Sequence, residues 1–531
     1  MSQGSEPSSV LLEIPLSERN LTAYLLDPFI PLLRGFDETT RVTALRPPSE
    51  PHIVRAPSSP NPPNLAAIID REIGPAKRAR LDRPGAPSSF PGMSGQTSNN
   101  LPLTGFQLEA AHHASIKDDI QHAIDVIRRQ WVNMTCGPNS HSEWWLDPHA
   151  LSHPALAQLE LLSYPTATSS NPWLDWPTLT RDSLEVRKTQ FTSDNIIIFL
   201  LLPLTFYAIR TVGTTCLNRS SNSVGHATLT DQKCIVTLPK RSGFSLATME
   251  NFKNEVMKIN HSPGWDAVII DPPWQNKSVE RGDKYRTVEL YDLFKMDLPG
   301  ILGDNRGKRA LIAIWVTNRP KFRRFLKKKF MPDCHVLGPY SEWYWVKITA
   351  SPTNEDQSVL LEGGKPIFDL ESTSPRRCYE GLVLGWYIPP SLRPNPPLTA
   401  LPRKIFLSVP LGHSRKPNIM GKWMRIDIDL FSLLDVFFVG SCFIDLLMLT
   451  ICSPTCATDL LVPHLPPDPS ILELFSRSVS GLPSLGKNGE PHSDCCVKGI
   501  WHSIGDECSK FMVAPWVDSS KNTERQSSKL K

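Results

Sequence analysis

The chain has 531 residues and a formal net charge of +4, so it has the length of about two or three domains and is only mildly basic. This charge is compatible with a polyanionic partner but does not require one, because such a partner needs only a local basic patch. The 11 cysteines lack paired CxxC spacing, which excludes a typical zinc framework and favours a reducing compartment. We therefore expect an intracellular protein without a structural metal.

Residues 1–104 are rich in Pro, Ser, Asn and Gly, and such a composition buries too little apolar surface to offset the entropy of ordering the chain. We expect this region to be mostly disordered, with a short helix or docking segment at residues 11–33. The basic run Lys77–Arg80 resembles a nuclear-import signal, and its alternative is a solvated charge cluster. It predicts location in the nucleus, with the cytoplasm as a second location.

The next region has helical periodicity. Between residues 107 and 131, apolar residues recur mostly at intervals of three and four, which is typical of an amphipathic helix. Further short helical pieces are expected up to Leu184, so residues 105–190 are predicted to form a helical N-terminal domain. Residues 191–239 are interpreted as an atypical connecting segment.

Two strongly apolar stretches, 196–209 and 428–451, raise the alternative of membrane insertion. The first is short for a membrane helix and contains Pro203. The second contains three aspartates, each of which is costly at bilayer depth. The expected partners therefore do not include a membrane.

From residue 240 the pattern becomes that of an α/β protein. Apolar runs of strand length alternate with helix-like stretches at 288–296 and 320–330. The strand-like runs are 267–270, 310–316, 343–348, 381–388 and 405–409. This alternation predicts a mostly parallel, doubly wound sheet.

The run Asp271-Pro272-Pro273-Trp274 follows one of these strands directly. Ligands of open α/β sheets bind beyond the carboxyl ends of the strands, which is where Asp271 is expected. The two prolines prevent helix and ladder continuation and favour a rigid extended turn. An acid, a rigid turn and an aromatic ring together suit the binding of a planar base by its edge. The alternative is a strand-terminating turn with a buried tryptophan.

The exocyclic amine of adenine explains why these residue types would be needed. This amine is a poor nucleophile because its lone pair is delocalised into the ring. The Asp271 carboxylate and a free Pro272 carbonyl would accept its two N–H groups, while Trp274 would stack on the base. Catalysis would then rest on positioning and electrostatics, without a metal or a covalent intermediate.

The sequence 271–285, DPPWQNKSVERGDKY, closely resembles the MT-A-type N6-adenine methyltransferases, and within them the branch called methyltransferase-like protein 4. The resemblance covers about 240–420 and resumes at about 459–490. Further matching segments, in order, are Trp315–Arg319, Glu342–Thr349, Tyr379–Gly385, Ser414–Pro417 and Leu472–Arg477.

This resemblance implies a Rossmann-like methyltransferase fold, S-adenosylmethionine as the cofactor and transfer of a methyl group to the N6 amine of adenine. The implied catalytic residues are Asp271, Pro272, Pro273 and Trp274. The implied cofactor-binding residues are Thr248, Met249, Asp271, Lys416, Arg477 and Asn488. The implied substrate-binding residues are Asn276, Lys277, Ser278, Trp345 and Lys347. Without the resemblance, Lys416 and Arg477 would be interpreted as solvated surface cations.

The chain also departs from the family pattern. The pattern stops after Met420 and resumes at Asp459, so we predict that residues 421–458, and part of 196–231, are an insertion or translated intron sequence. Residues 240–420 and 459–494 are then the two parts of the methyltransferase core, and 495–531 are a tail without a counterpart. Thr248 stands where the family usually has an acid.

The expected partner is nucleic acid, and RNA is favoured over DNA. The branch resemblance implies a 2′-O-methylated adenosine of a small nuclear RNA as the target. The alternatives are a DNA adenine methyltransferase, an inactive methyltransferase-fold scaffold and a plain nucleic-acid-binding module. Basic residues between Lys277 and Arg286 are interpreted as a substrate loop, whereas those between Lys321 and Lys329 are interpreted as a solvated helix face.

Overall fold

The computed structural model describes a set of segments that together contain the central sheet and its covering helices. They are residues 10–26, 41–45, 105–135, 159–162, 196–199, 214–218, 225–229, 234–259, 261, 264–275, 287–349, 364–371, 377–392, 398–410, 416–417, 460–461, 464–466, 468–480, 482, 499–506, 508 and 517–518.

The strands are numbered in chain order. They are β1 Val10–Leu16, β2 Leu21–Leu26, β3 Arg41–Leu45, β4 Leu159–Leu162, β5 Ile196–Phe199, β6 Thr214–Asn218, β7 Gly225–Leu229, β8 Cys234–Leu238, β9 Ser242–Leu246, β10 Ala267–Ile270, β11 Ala310–Val316, β12 Val336–Lys347, β13 Tyr379–Tyr387, β14 Arg403–Ser408, β15 Ile471–Leu474, β16 Trp501–Gly505 and β17 Val517–Asp518.

The helices are numbered in the same way. They are α1 Gly105–Thr135, α2 Phe252–Ile259, α3 Leu298–Leu302, α4 Pro320–Phe325 and α5 Met331–Asp333, with the π-helical turn Leu326–Phe330 between α4 and α5. Short 3-10 turns lie at Ser17–Arg19, Met249–Asn251, Tyr291–Met296 and Asn305–Gly307.

The main sheet has twelve strands in the order β1-β2-β14-β12-β13-β11-β10-β15-β16-β9-β6-β5. Its centre, from β11 to β9, is parallel throughout, and β13 runs antiparallel between β11 and β12. Every residue of β10 and β11 is buried, which is typical of parallel strands that are covered on both faces. The predicted mostly parallel, doubly wound α/β sheet is confirmed.

Helices pack on the sheet, and their apolar side chains form separate clusters with those of the strands. One face of the centre packs against α2, α3 and α4. The predicted amphipathic helix is confirmed as α1, which buries its apolar stripe against β1, β2, β12 and β14. The buried stripe consists of Ile116, Ile120, Ala123, Ile124 and Ile127.

The N-terminal region differs from the prediction. For residues 11–33, the helical prediction is wrong over the described part, because β1 and β2 form an antiparallel pair and β2 joins the main sheet beside β14. Ala23 and Leu25 are fully buried there, so the apolar residues of this segment complete a sheet. Leu159–Leu162, predicted as part of a helical piece, is the strand β4 beside β3.

The C-terminal region also needs a correction. Residues 495–531 are predicted to be a tail, but β16 lies inside the parallel sheet between β15 and β9. All five residues of β16 are buried, so this strand is part of the core. Its shortness and its polar residues His502 and Ser503 explain why the sequence pattern does not identify it.

Some of the predictions concern residues that the structure does not describe. The proposed insertion 421–458 and the basic run Lys77–Arg80 lie outside the described residues, and the domain boundaries stay predictions. Within 196–231, β6 pairs with β9 and its Cys216 and Leu217 are buried. Among the described residues no helix is both long and apolar enough to cross a membrane.

Candidate active site

The side chains that could take part in catalysis lie at one edge of the sheet. The carboxyl ends of β9, β10, β11 and β15 meet at this edge because these strands are parallel. The start of β13 lies at the same edge, since β13 is antiparallel to β11 with Gly381 opposite Val316. This topology places Asp271, which follows β10, near Glu380, which begins β13.

A cluster of alternating charges occupies this edge. The Lys416 ammonium lies 3.6 Å from a carboxylate oxygen of Asp271 and forms an ion pair with Glu380. Lys347 forms a second ion pair with Glu380. Lys416 also lies 5.5 Å from the ring centre of Trp315. Two carboxylates and two ammonium groups therefore form one partly buried network, with the Asp271 side chain still 25% exposed.

The pKa values of the two acids in this network are shifted in opposite directions. Burial raises the pKa of Asp271, and the positive charges of Lys416 and Arg477 only partly oppose this effect. Burial would also raise the pKa of Glu380, but Lys347 and Lys416 outweigh it and hold that pKa well below its usual range. Burial acts to lower the pKa of Lys416, but the two carboxylates outweigh it and raise that pKa. Glu380 is thus a fixed negative charge, whereas Asp271 remains titratable.

The backbone around Asp271 is held in a tight turn. The Asp271 N–H donates to the carbonyl of Leu474 at 3.2 Å, and the Trp274 N–H donates to the carbonyl of Pro272 at 2.7 Å. The Val288 N–H donates to the carbonyl of Pro273 at 2.9 Å. The expectation of a free Pro272 carbonyl needs correction: one of its two lone pairs is engaged, which leaves one for a ligand.

The Trp274 side chain, predicted to stack on the base, is buried and held by internal contacts. Its side chain is only 6% exposed, its indole N–H donates to the carbonyl of Trp315 at 2.9 Å, and its ring packs on Phe322 with ring centres 4.7 Å apart. A ring held in this way presents little surface to a base. These contacts fit the alternative, in which Trp274 is a buried residue that stabilises the turn, better than a role in stacking on a base.

Two of the predicted substrate-binding residues are committed to internal contacts. Trp345 is 2% exposed and its indole N–H donates to the Ser408 hydroxyl at 2.8 Å. Lys347 is paired with Glu380, and its ammonium lies 4.7 Å from the ring centre of Trp345. Lys347 is thus a member of the charge network, and Trp345 packs against it. Asn276, Lys277, Ser278 and Asn488 lie outside the described residues.

The predicted cofactor residues lie at the same edge. Thr248 and Met249 follow β9 and are buried, and the Thr248 hydroxyl accepts a hydrogen bond from the Asn251 amide at 3.3 Å. Arg477 lies three residues after β15, close enough to lower the pKa of Asp271 electrostatically. The structure therefore brings Thr248, Met249, Asp271, Arg477 and Lys416 to one rim of the sheet.

Sequence reasoning missed two acids of this site. Glu380 lies within a matching segment, and its only local signal is a charge at the start of an otherwise apolar strand. Glu473 on β15 accepts hydrogen bonds from the Trp501 indole at 2.9 Å and the Ser503 hydroxyl at 3.2 Å. Burial raises the pKa of Glu473 to about 7, although its hydrogen bonds oppose the shift. No group of three or more potential metal ligands occurs among the described residues.

The residues of this site lie in a region that is similar to a known protein family. Residues 265–428, which contain Asp271, Glu380 and Lys416, match the model of the MT-A70 family. The match begins just before β10 and ends eight residues into the predicted insertion 421–458, so the matched region carries the charge network.

Curated relatives have similarity over about a third of this chain. The human N(6)-adenine-specific methyltransferase METTL4 is 34% identical over 198 residues, which cover 36% of this chain and 37% of the relative. The N6-methyladenosine RNA methyltransferase MTA1 of Pyricularia oryzae is 30% identical over 34% of this chain and 44% of the relative. The DNA N6-methyl methyltransferase of Caenorhabditis elegans is 27% identical over 38% of this chain and 48% of the relative. This chain thus spans less than half the length of each of these relatives.

Among solved structures, the crystal structure of the M1.HpyAVI-SAM complex is 13% identical to this chain and has a TM-score of 0.22. The match covers 50% of this chain and 92% of that chain.

Proposed function

We propose that this protein is an S-adenosylmethionine-dependent methyltransferase that acts on the N6 amine of adenine in a nucleic acid. The observation that carries the proposal is the partly exposed Asp271 carboxylate, held at the carboxyl end of β10 beside Lys416 and Glu380. The match of residues 265–428 to the MT-A70 family and the activities for which the relatives are named support the same reaction.

The charges at the site fit S-adenosylmethionine, which carries a carboxylate, an ammonium and a sulfonium. Lys416 and Arg477 would bind its carboxylate, while Asp271 would face its positively charged end. Thr248 and Met249, which follow β9 at the same edge, would line its adenine. When bound, this cofactor would supply an electrophilic methyl group.

Asp271 would orient the target amine. Its carboxylate would accept one N–H of the adenine N6 group, and the remaining lone pair of the Pro272 carbonyl would accept the other. Both contacts draw the nitrogen lone pair out of conjugation and aim it at the methyl group. The nitrogen gains a methyl group and loses one proton, and Asp271, whose pKa is raised, is placed to accept that proton.

The nucleic acid is proposed to be RNA, with a 2′-O-methylated adenosine of a small nuclear RNA as the target. The relatives act on RNA in Pyricularia oryzae and on DNA in Caenorhabditis elegans according to their names, so DNA is the second candidate. Location in the nucleus remains a proposal that rests on the basic run Lys77–Arg80.

Three oligonucleotides of one sequence with a single adenosine would decide between these substrates. They are unmodified RNA, RNA with a 2′-O-methyl group on that adenosine, and DNA. We expect the highest kcat/KM with 2′-O-methylated RNA. A preference for DNA would support the second candidate, and absence of transfer to all three would favour an inactive scaffold.

The pH dependence of methyl transfer should report on the charge network. Asp271 must be deprotonated to accept the amine N–H, so activity should fall as the pH falls through its raised pKa, which lies above the ordinary value of about 3.9. Lys416→Met removes a charge that lowers this pKa, so the acid limb of kcat/KM should move to higher pH.

Lys416→Arg serves as the matched control because it keeps the positive charge. Its acid limb should stay near that of the wild type even if its activity is lower. An acid limb at the same pH in Lys416→Met and in the wild type would contradict the assignment of this limb to Asp271.

A further inference from the structure

An exposed aromatic ring lies close to the catalytic turn. Tyr291 is 66% exposed, the highest value among the large hydrophobic side chains in the described part of the chain. Its ring meets the Phe325 ring edge-on, with ring centres 5.3 Å apart, and Phe325 belongs to α4. One side of Tyr291 is thus braced by the protein and the rest faces solvent.

The cations of α4 and the π-helical turn fall into two groups. Arg323 and Lys327 point inward and form ion pairs with Glu342. The second group is exposed, and its members form no hydrogen bond or ion pair within the segments that the structure describes. This second group consists of Lys321, Arg324, Lys328 and Lys329.

The exposed cations flank the point where Tyr291 meets the helix. Lys321 lies one α-helical turn before Phe325, and Lys328 and Lys329 follow Phe325 in the adjoining π-helical turn. Tyr291 is therefore an aromatic ring bordered by positive charges that have no anionic partner among the described residues, and the Lys321 ammonium lies 5.0 Å from the Phe322 ring centre.

This surface is fixed to the catalytic turn at two points. Phe322 of α4 packs on Trp274, and Val288 is hydrogen-bonded to Pro273. Tyr291 follows Val288 by three residues, so their Cα atoms are at most about 10 Å apart. This surface is therefore within reach of a polymer that has one base at Asp271.

We propose that Tyr291, Lys321, Arg324, Lys328 and Lys329 bind the single-stranded nucleic acid that flanks the target adenine. Tyr291 stacks on a neighbouring base, because an aromatic ring can stack on any base, and the cations bind the adjacent phosphates. The surface complements a polyanion with unpaired bases, whereas a charged helix face alone would be interpreted as solvated. The inference rests on the proposed function for the identity of the polymer.

The test measures binding of a fluorescent single-stranded oligonucleotide with one adenosine by anisotropy, with the full chain and at several salt concentrations. Tyr291→Ala should weaken binding about tenfold, whereas Tyr291→Phe, which keeps the stacking ring, should bind like the wild type. Arg324→Ala combined with Lys328→Ala should reduce the slope of log K against log salt by about 1.4, since each phosphate contact contributes about 0.7.

Arg306→Gln is the matched control, because Arg306 is exposed and precedes β11 at the opposite edge of the sheet. It should leave both the affinity and the salt slope unchanged. Thermal unfolding of every variant shows whether the fold is intact, and unchanged affinity in folded Tyr291→Ala would overturn the assignment.

Methyl transfer to the same oligonucleotide is measured in parallel to separate the two proposals. Weaker binding by Tyr291→Ala in a protein that transfers no methyl group would uphold the surface and reject the proposed function. Normal transfer together with an unchanged affinity and salt slope in all variants would reject the surface and uphold the function. Absence of any binding by the wild type would reject the surface.

Discussion

Asp271→Asn is expected to lower kcat for methyl transfer to adenine by at least about 100-fold, the size of effect seen when one preorganised polar contact to a transition state is removed. Asn has nearly the same shape as Asp, but it lacks the negative charge that stabilises the developing positive charge on the amine. It also cannot accept the proton that the nitrogen loses. Single-turnover rates with labelled cofactor would measure the effect.

The control for this variant is a measurement that shows whether its fold is intact. The Asp271 N–H contact with the Leu474 carbonyl is a backbone hydrogen bond that Asn retains, so the turn should keep its conformation. Thermal unfolding should therefore show a folded protein. A folded Asp271→Asn variant whose rate stays within tenfold of the wild type would contradict the role of the carboxylate.

Deletion of residues 499–531 is expected to abolish cooperative folding of the domain. It removes β16, which pairs with β15 on one side and with β9 on the other. Both neighbours would lose a row of buried hydrogen bonds, and each buried group left unpaired costs about 1–3 kcal/mol. Because β16 pairs with β15 at four positions and with β9 at five, the total is comparable with the 5–15 kcal/mol by which domains are typically stable. Circular dichroism during thermal unfolding would measure the loss.

A shorter deletion provides the control. Removal of residues 519–531 keeps every described strand, so this variant should unfold cooperatively near the temperature of the full chain. A cooperative transition at the wild-type temperature after deletion of 499–531 would show that β16 is dispensable and that residues 495–531 behave as a tail.

Local sequence signals are sufficient to predict the central strands of the sheet and the position of Asp271. Short apolar runs predicted β10 and β11, because both strands are buried along their whole length. The position of Asp271 followed from the end of the β10 run and from the prolines after it. The helical period of α1 was equally clear, since its buried residues recur at threes and fours.

The remaining features depend on contacts between segments far apart in the chain. Glu380 joins Lys416 and Asp271 only because β13 runs antiparallel beside β11. The place of β16 depends on pairing with β9, more than 250 residues earlier in the chain. Trp274 was expected to stack on a base because its residue type suits that role, but its burial depends on Trp315 and Phe322. Such pairings leave no periodic signal in the segment itself.

The most direct test of the central claim is to identify the methylated atom. The wild type and Asp271→Asn would be incubated with S-adenosylmethionine carrying an isotopically labelled methyl group and with the adenosine-containing oligonucleotide, and the digested nucleosides would be analysed by mass spectrometry. We expect the label on N6 of adenine with the wild type and at least about 100-fold less with Asp271→Asn. Label on a different atom, or equal labelling by both proteins, would contradict the proposal that Asp271 orients the adenine amine.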